Sequence, residues 1–133
     1  MEYETATDKH NEAGCGELLA SLGFTVCTFG KFSPCDFFAF TTKGSYLVEY
    51  KRRSHNYGDF PTVMIPEKKL RKCLSIAEQI GSQFLYVVEF NNGIYAANVK
   101  HYSTGNGGRT DRGDANDYGV MAFIKTEEFR RLK

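Results

Sequence analysis

The sequence predicts a mixed α/β fold, with a mixed central sheet flanked by helices, and three observations carry that reading. Apolar residues recur at helical spacing in two separate stretches. Short runs of aromatic and β-branched residues lie between and after those stretches, each bounded by turn formers. The chain has 133 residues, 41% hydrophobic and 14% aromatic. That is enough for one domain with a core, and too few for a doubly wound dinucleotide fold. Residues 1–133 are expected to form a single domain with a core over about 9–99.

The first helix is expected over about 8–22. Cys15, Leu18, Leu19 and Leu22 form one apolar stripe, and Gly23 follows as a C-terminal cap. Three strands come next: Phe24–Phe29, Asp36–Phe40 and Ser45–Lys51. The last two are joined by the turn Thr41-Thr42-Lys43-Gly44. A polar loop is expected over roughly 53–62. Pro66 then opens a second helix to about residue 80, with Leu70, Leu74, Ala77 and Ile80 on one side and Gly81 ending it. The run Phe84–Phe90 is apolar on both faces, which suits a covered central strand. Asn91-Asn92-Gly93 turns the chain into a strand over Ile94–Val99. Residues 103–117, all loop formers, predict a mobile surface loop. The tail, 118–133, predicts a strand over Val120–Ile124 and a short helix beginning Glu127-Glu128 and capped by Thr126.

Composition excludes several classes. The hydrophobic content rules out disorder for the bulk of the chain. No apolar run approaches the ~18 residues of a membrane span, and the polar, acidic start MEYETATDKHNE does not look like a signal peptide. Cys15, Cys27, Cys35 and Cys73 contain no Cys-x-x-Cys pair and predict mostly buried thiols in a reducing compartment, hence the cytoplasm. Net charge is +1, but it is unevenly spread. Residues 1–42 sum to −4, residues 43–72 to +5 and residues 73–133 to 0. A basic middle beside an acidic start suits a phosphate-binding face, although charge alone equally describes solvated surface.

The chemistry is expected around Glu49-Tyr50-Lys51. Strand alternation points Glu49 and Lys51 to one face, following Leu47. Charge on the face of an apolar strand needs a reason, because burying it unpaired is costly. In a hairpin that sets Phe40 opposite Ser45, counting back places Asp36 opposite Glu49. Directly opposed Cβ atoms lie about 4.5–5.5 Å apart. Two carboxylates so placed repel unless neutralised, and Mg²⁺ is satisfied by one or two carboxylates plus waters and phosphate. On the first helix, Glu12 falls about 20° from Leu19, on the inward side, whereas Glu17 points away. Glu12 is therefore the helix acid able to reach the strands, or else an acid favoured by the helix N-terminus.

An acid in helix one, then Asp, then Glu-x-Lys after a hairpin, then a basic helix, resembles the PD-(D/E)xK nucleases. The resemblance covers roughly residues 9–99. Its layout is most similar to archaeal-type Holliday junction resolvases and to small phage or VRR-like nucleases. It implies a restriction-endonuclease-like αβββαβ core and Mg²⁺- or Mn²⁺-dependent hydrolysis of phosphodiester bonds in DNA. It also implies Asp36 and Glu49 as metal ligands, Lys51 as the catalytic lysine and Glu12 as an accessory helix acid. The family's Pro-Asp dipeptide appears here as Pro34-Cys35-Asp36, with one residue inserted, which bears on the register at Asp36.

Arg52 and Arg53 continue the strand, and Lys68, Lys69, Arg71 and Lys72 crowd the start of the second helix. Cations there oppose the helix dipole, a conflict that a docked phosphate removes. These six are the expected nucleic-acid contacts. His55 and Tyr57 are read as loop residues. Asp111, Asp114 and Asp117 lack the alternate spacing of a calcium loop. No phosphate loop, dinucleotide fingerprint or nucleophile elbow occurs. The expected partner is DNA, in branched, junction or other form, and cleavage of a junction would call for a homodimer. The alternatives are a catalytically silent nucleic-acid-binding module, an RNA-directed nuclease and a metal-free interaction domain.

Overall fold

The computed structural model describes residues 6–29, 35–108 and 118–133. Helix α1 spans Ala6–Ser21, and strands β1 (Thr25–Thr28), β2 (Phe37–Thr41) and β3 (Gly44–Arg52) follow. Strand β4 (Thr62–Pro66) leads directly into α2 (Glu67–Gln79). Strands β5 (Gln83–Phe90), β6 (Gly93–Asn98), β7 (Ser103–Gly108) and β8 (Tyr118–Lys125) come next. A 3₁₀ turn, Thr126–Glu128, precedes β9 (Arg130–Arg131).

The main sheet has the order β1-β2-β3-β5-β6-β9. Only β3 and β5 run parallel; the β4–α2 crossover between them makes that possible, and the other pairs are antiparallel. The expected mixed sheet and αβββαβ order are both present. The structure adds β4 to that order and builds a second sheet, β4-β8-β7.

Two cores hold the layers together. On one face of the main sheet, Cys15 and Leu19 of α1 pack with Phe37, Ala39, Val48, Tyr50, Val87 and Ala96. On the other, Leu70, Cys73 and Ala77 of α2 pack with Leu47, Phe84, Tyr86 and Val88 of the main sheet and Ile65, Ala122 and Ile124 of the small one. Both helices end in the same way. Phe24 N–H reaches Leu19 O and Gly23 N–H reaches Ala20 O; Ser82 N–H and Gly81 N–H do the same to Ala77 O and Glu78 O. Gly23 (φ +97°) and Gly81 (φ +69°) supply the left-handed residue this motif needs.

Two expectations are corrected and one strand is added. Between the expected loop, 53–62, and Pro66, the chain forms β4, where Val63 and Ile65 are buried and pair with β8. Residues 103–108 are not loop, because β7 pairs along β8 and Gly105 lies under the Phe123 ring, where a Cβ would come within 3.2 Å. The rest of that expected loop, 109–117, with Asp111, Asp114 and Asp117, lies outside the described residues. Thr126 caps no helix; its hydroxyl donates to Phe60 O, and the chain turns once into β9. Phe129 there is buried in the α2-side core.

Candidate active site

The hairpin register fixes the site. Phe37 pairs with Val48, Phe38 with Leu47 and Phe40 with Ser45, as the count from the turn requires. The turn itself is tighter than expected, since Thr41 also pairs with Gly44. The pairing ends at Phe37, one residue after Asp36, and the Asp36 charge acts on Glu49. Asp36 lies just before β2 and steps out of the ladder: its N–H donates to Val48 O, and its Oδ2 accepts the Tyr50 N–H at 2.7 Å. The carboxylate therefore occupies the rim of the sheet, where its charge acts on Glu49 on one face and on Cys15 on the other.

Glu49 is the one buried charged residue of the described chain, 5% exposed, on the α2 face with Leu47. Its Oε2 pairs with Lys69 Nζ of α2 at 2.5 Å. Its Oε1 is buried with no hydrogen-bond partner among the described residues. Burial first, and then the Asp36 charge, push its pKa well above the carboxylate range, and Lys69 offsets this only in part. Lys51 lies two residues on, on the same face and exposed at the strand's end.

Glu12 sits on α1 one turn before Cys15, and α1 covers the face opposite Glu49. Glu12 and Asp36 both act on the Cys15 thiol, which burial above all pushes up to about 12. Asp36 also acts on Glu49, whereas Glu12 is not among the charges that act on Glu49. Among the described residues, no three His, Cys, Asp or Glu side chains cluster as a ready-made cage for a metal ion. Asp36 and Glu49 form a two-carboxylate pair, which is the protein share that Mg²⁺ commonly takes, the remainder being water and phosphate. The unpartnered Oε1 of Glu49 fits such an ion.

The basic residues divide into two groups. Arg53 Nη2 donates to Met64 O at 2.7 Å, and Arg52 donates to Asn91 Oδ1 at 2.7 Å and to Glu89 O and Arg53 O. Both guanidinium groups therefore tie β3 to its surroundings. On α2, Lys69 holds Glu49 and Arg71 pairs with Glu67 at 3.6 Å. Lys68, Arg71 and Lys72 line a shallow depression with Ser75, Ile76 and Gln79.

The sequence reading missed a second acid in a covered strand. Tyr50 Oη donates to Glu89 Oε1 at 2.7 Å, on the α1 face, and Glu89 also acts on Cys15. The signal was available: Glu89 interrupts an apolar strand as Glu49 does. It also missed the contact of Cys35 with Cys73. The Cys35 thiol donates to Cys73 Sγ at 2.7 Å, tying the residue before Asp36 to α2 one turn beyond Lys69. That hydrogen bond, with burial, holds the Cys35 thiol protonated.

Among the described residues, no helix is long and apolar enough to cross a membrane. A family model described as "Phage putative PDDEXK endonuclease" matches residues 1–132. No curated protein matches the sequence. Among solved structures, the fold is similar to that of Hjc, a Holliday junction resolvase from the archaeal hyperthermophile Archaeoglobus fulgidus. The TM-score is 0.65 at 13% identity, covering 90% of this chain and 95% of that one.

Proposed function

The chain belongs to the phage PDDEXK endonuclease family, and from that premise we propose that it is a divalent-metal-dependent endonuclease that hydrolyses phosphodiester bonds in DNA. The observation that carries the proposal is the Glu49 carboxylate: buried beside a second carboxylate, half neutralised by Lys69, and left with one oxygen unpartnered. A buried group in that condition destabilises the fold, a cost that a functional role explains.

Asp36 and Glu49 would hold Mg²⁺ or Mn²⁺. When bound, such an ion polarises a phosphoryl oxygen and lowers the pKa of a water. The Tyr50 N–H fixes one oxygen of Asp36, so the carboxylate is oriented before anything binds. Lys69 fixes Glu49 from the other side. Lys51 places an ammonium where negative charge grows on the phosphate as the water attacks and the leaving oxygen departs. Glu12, joined to this rim through its shared influence on Cys15, is assigned to orienting water. Lys68 and Lys72, exposed on α2, are assigned to backbone phosphates, with Arg71 beside them. Arg52 and Arg53 serve the substrate only indirectly, by holding the end of β3. The structural likeness to a junction resolvase makes four-way junctions the first substrate to try, with a homodimer supplying two sites.

The test is a Mg²⁺-dependent cleavage panel on duplex, single-stranded, flapped, four-way-junction and RNA substrates, with Lys51→Ala and Glu49→Gln as controls. The wild type is expected to cut at least one DNA, and both variants to stay folded and inactive. Cleavage that survives in both variants would overturn the assignment. Cleavage of RNA alone would transfer it to an RNA-directed nuclease. Binding without cleavage in any arm would leave a silent binding module.

A further inference from the structure

Beside the candidate site, the outer strands of the main sheet carry an aromatic surface that the described residues leave partly exposed. Phe38 lies opposite Leu47 and Phe40 opposite Ser45, so both point to the face that carries Glu49 and Lys51. Their ring centroids are 5.5 Å apart and the rings are tilted by 35°. Phe38 packs into neither core, and Phe40 is 37% exposed. On β1, Thr25 and Cys27 lie opposite Phe40 and Phe38 and are exposed, so the surface stays open to the sheet edge. Phe29, one residue beyond β1, is 40% exposed and donates its N–H to Asp36 O.

Helix α2 packs on the neighbouring strands of the same face. Lys69 on Glu49 of β3 and Cys73 on Cys35, just before β2, identify the flank of α2 turned towards that side. Lys72 and Ile76 follow Lys69 by three and seven residues and so lie on that same flank. This face thus carries aromatic rings on β2 and a cationic flank on α2, and β2 leads back along it to Asp36. At about 3.3 Å per residue, Phe38 and Phe40 lie roughly 7 and 13 Å along β2 from Asp36.

We propose that this face holds unpaired nucleobases, with Phe38 and Phe40 as stacking platforms and Lys72 over the sugar-phosphate backbone, so that the enzyme engages its substrate through a single-stranded segment. The proposal rests on the nuclease reading and deepens it. Stacking on phenyl rings combined with a cationic track is how proteins hold unpaired strands without regard to sequence. Duplex DNA keeps its bases stacked inside and cannot use the phenyl faces. A second copy of the chain is a poorer occupant, because it would bring two lysine-bearing flanks together.

The experiment is fluorescence anisotropy in chelator, which prevents cleavage, with labelled oligothymidine and a duplex of equal length. Wild type is compared with Phe40→Leu, which keeps apolar bulk but loses the π-face, and Phe40→Trp, which restores it. Phe40→Leu is expected to weaken single-strand binding about 5-fold or more while duplex binding changes less than about 2-fold, and Phe40→Trp to bind at least as tightly as wild type. Phe38→Leu, with its fold checked by thermal melt, is expected to behave like Phe40→Leu. Equal losses on both DNAs, or no loss on the single strand, would overturn the proposal. So would sedimentation showing that Phe40→Leu splits a dimer without changing single-strand affinity. Cleavage of duplex by the same variants would then leave the nuclease reading standing. Absence of cleavage with intact single-strand selectivity would remove the nuclease reading alone.

Discussion

Replacing Glu49 with glutamine should stabilise the metal-free protein while abolishing cleavage. The wild-type carboxylate is 5% exposed, faces the Asp36 charge and has an oxygen without a partner. Its one compensation is Lys69. Two effects compete in the variant. Removing one partner of a buried ion pair strands the other charge, which costs several kcal/mol when that charge cannot reach water. Lys69 can reach it: its side chain is 19% exposed on the flank of α2. The relief of charge burial should therefore win, by on the order of 1–2 kcal/mol. For a chain of this size, that raises Tm by roughly 4–7 °C.

The pH dependence has a definite sign. A carboxyl whose pKa is raised in the folded state leaves stability intact below its unfolded value, near 4.3. Stability is then lost as pH rises through the raised folded value. The Tm advantage of Glu49→Gln should accordingly be small near pH 4, grow with pH and level off above the folded pKa. Added Mg²⁺ or Mn²⁺ should raise the Tm of wild type and not that of the variant. Scanning calorimetry in chelator at several pH values checks this. A variant less stable than wild type at pH 8, or a difference that does not change with pH, would refute the reasoning.

Other outcomes follow from single contacts. Phe129→Ala, which empties a buried site under the C-terminal segment, should cost about 3–5 kcal/mol in a denaturant melt. Tyr50→Phe removes the hydrogen bond to Glu89 and should cost about 0.5–1.5 kcal/mol, read from the same melt. Gly81→Ala forces a side chain into a left-handed position at the end of α2 and should cost about 1 kcal/mol. Lys72→Ala should weaken DNA binding for all sequences and lower the slope of log affinity against log salt by about one, measured by anisotropy across a salt series.

Much of the fold was legible because the signals were local. The two apolar stripes, the helix-ending glycines and the hairpin turn each act within a few residues. The hairpin count alone placed Phe40 opposite Ser45 and Phe38 opposite Leu47. What escaped was set by tertiary pairing. Val63 and Ile65 form a run too short to read between two prolines, and they become a strand because β8 lies beside them. The run Ser103–Gly108 reads as turn formers, yet its glycines are what let Phe123 lie across β7. The site followed the same division. Strand alternation put Glu49 and Lys51 on one face, but a helical wheel could not show which side of the sheet α1 would cover. The helix acid Glu12 lies on the α1 side, where its charge acts on Cys15. Lys69, read as a phosphate contact, is the counter-ion of Glu49, a role that only the docking of α2 reveals.

Anomalous diffraction from a crystal soaked in manganese would test for the ion on which the proposed chemistry depends. A peak within ligand distance of both Asp36 and Glu49, lost in a Glu49→Gln crystal, is the predicted result. Full soaking with no peak at that pair, or a peak bound wholly by other residues, would contradict the account.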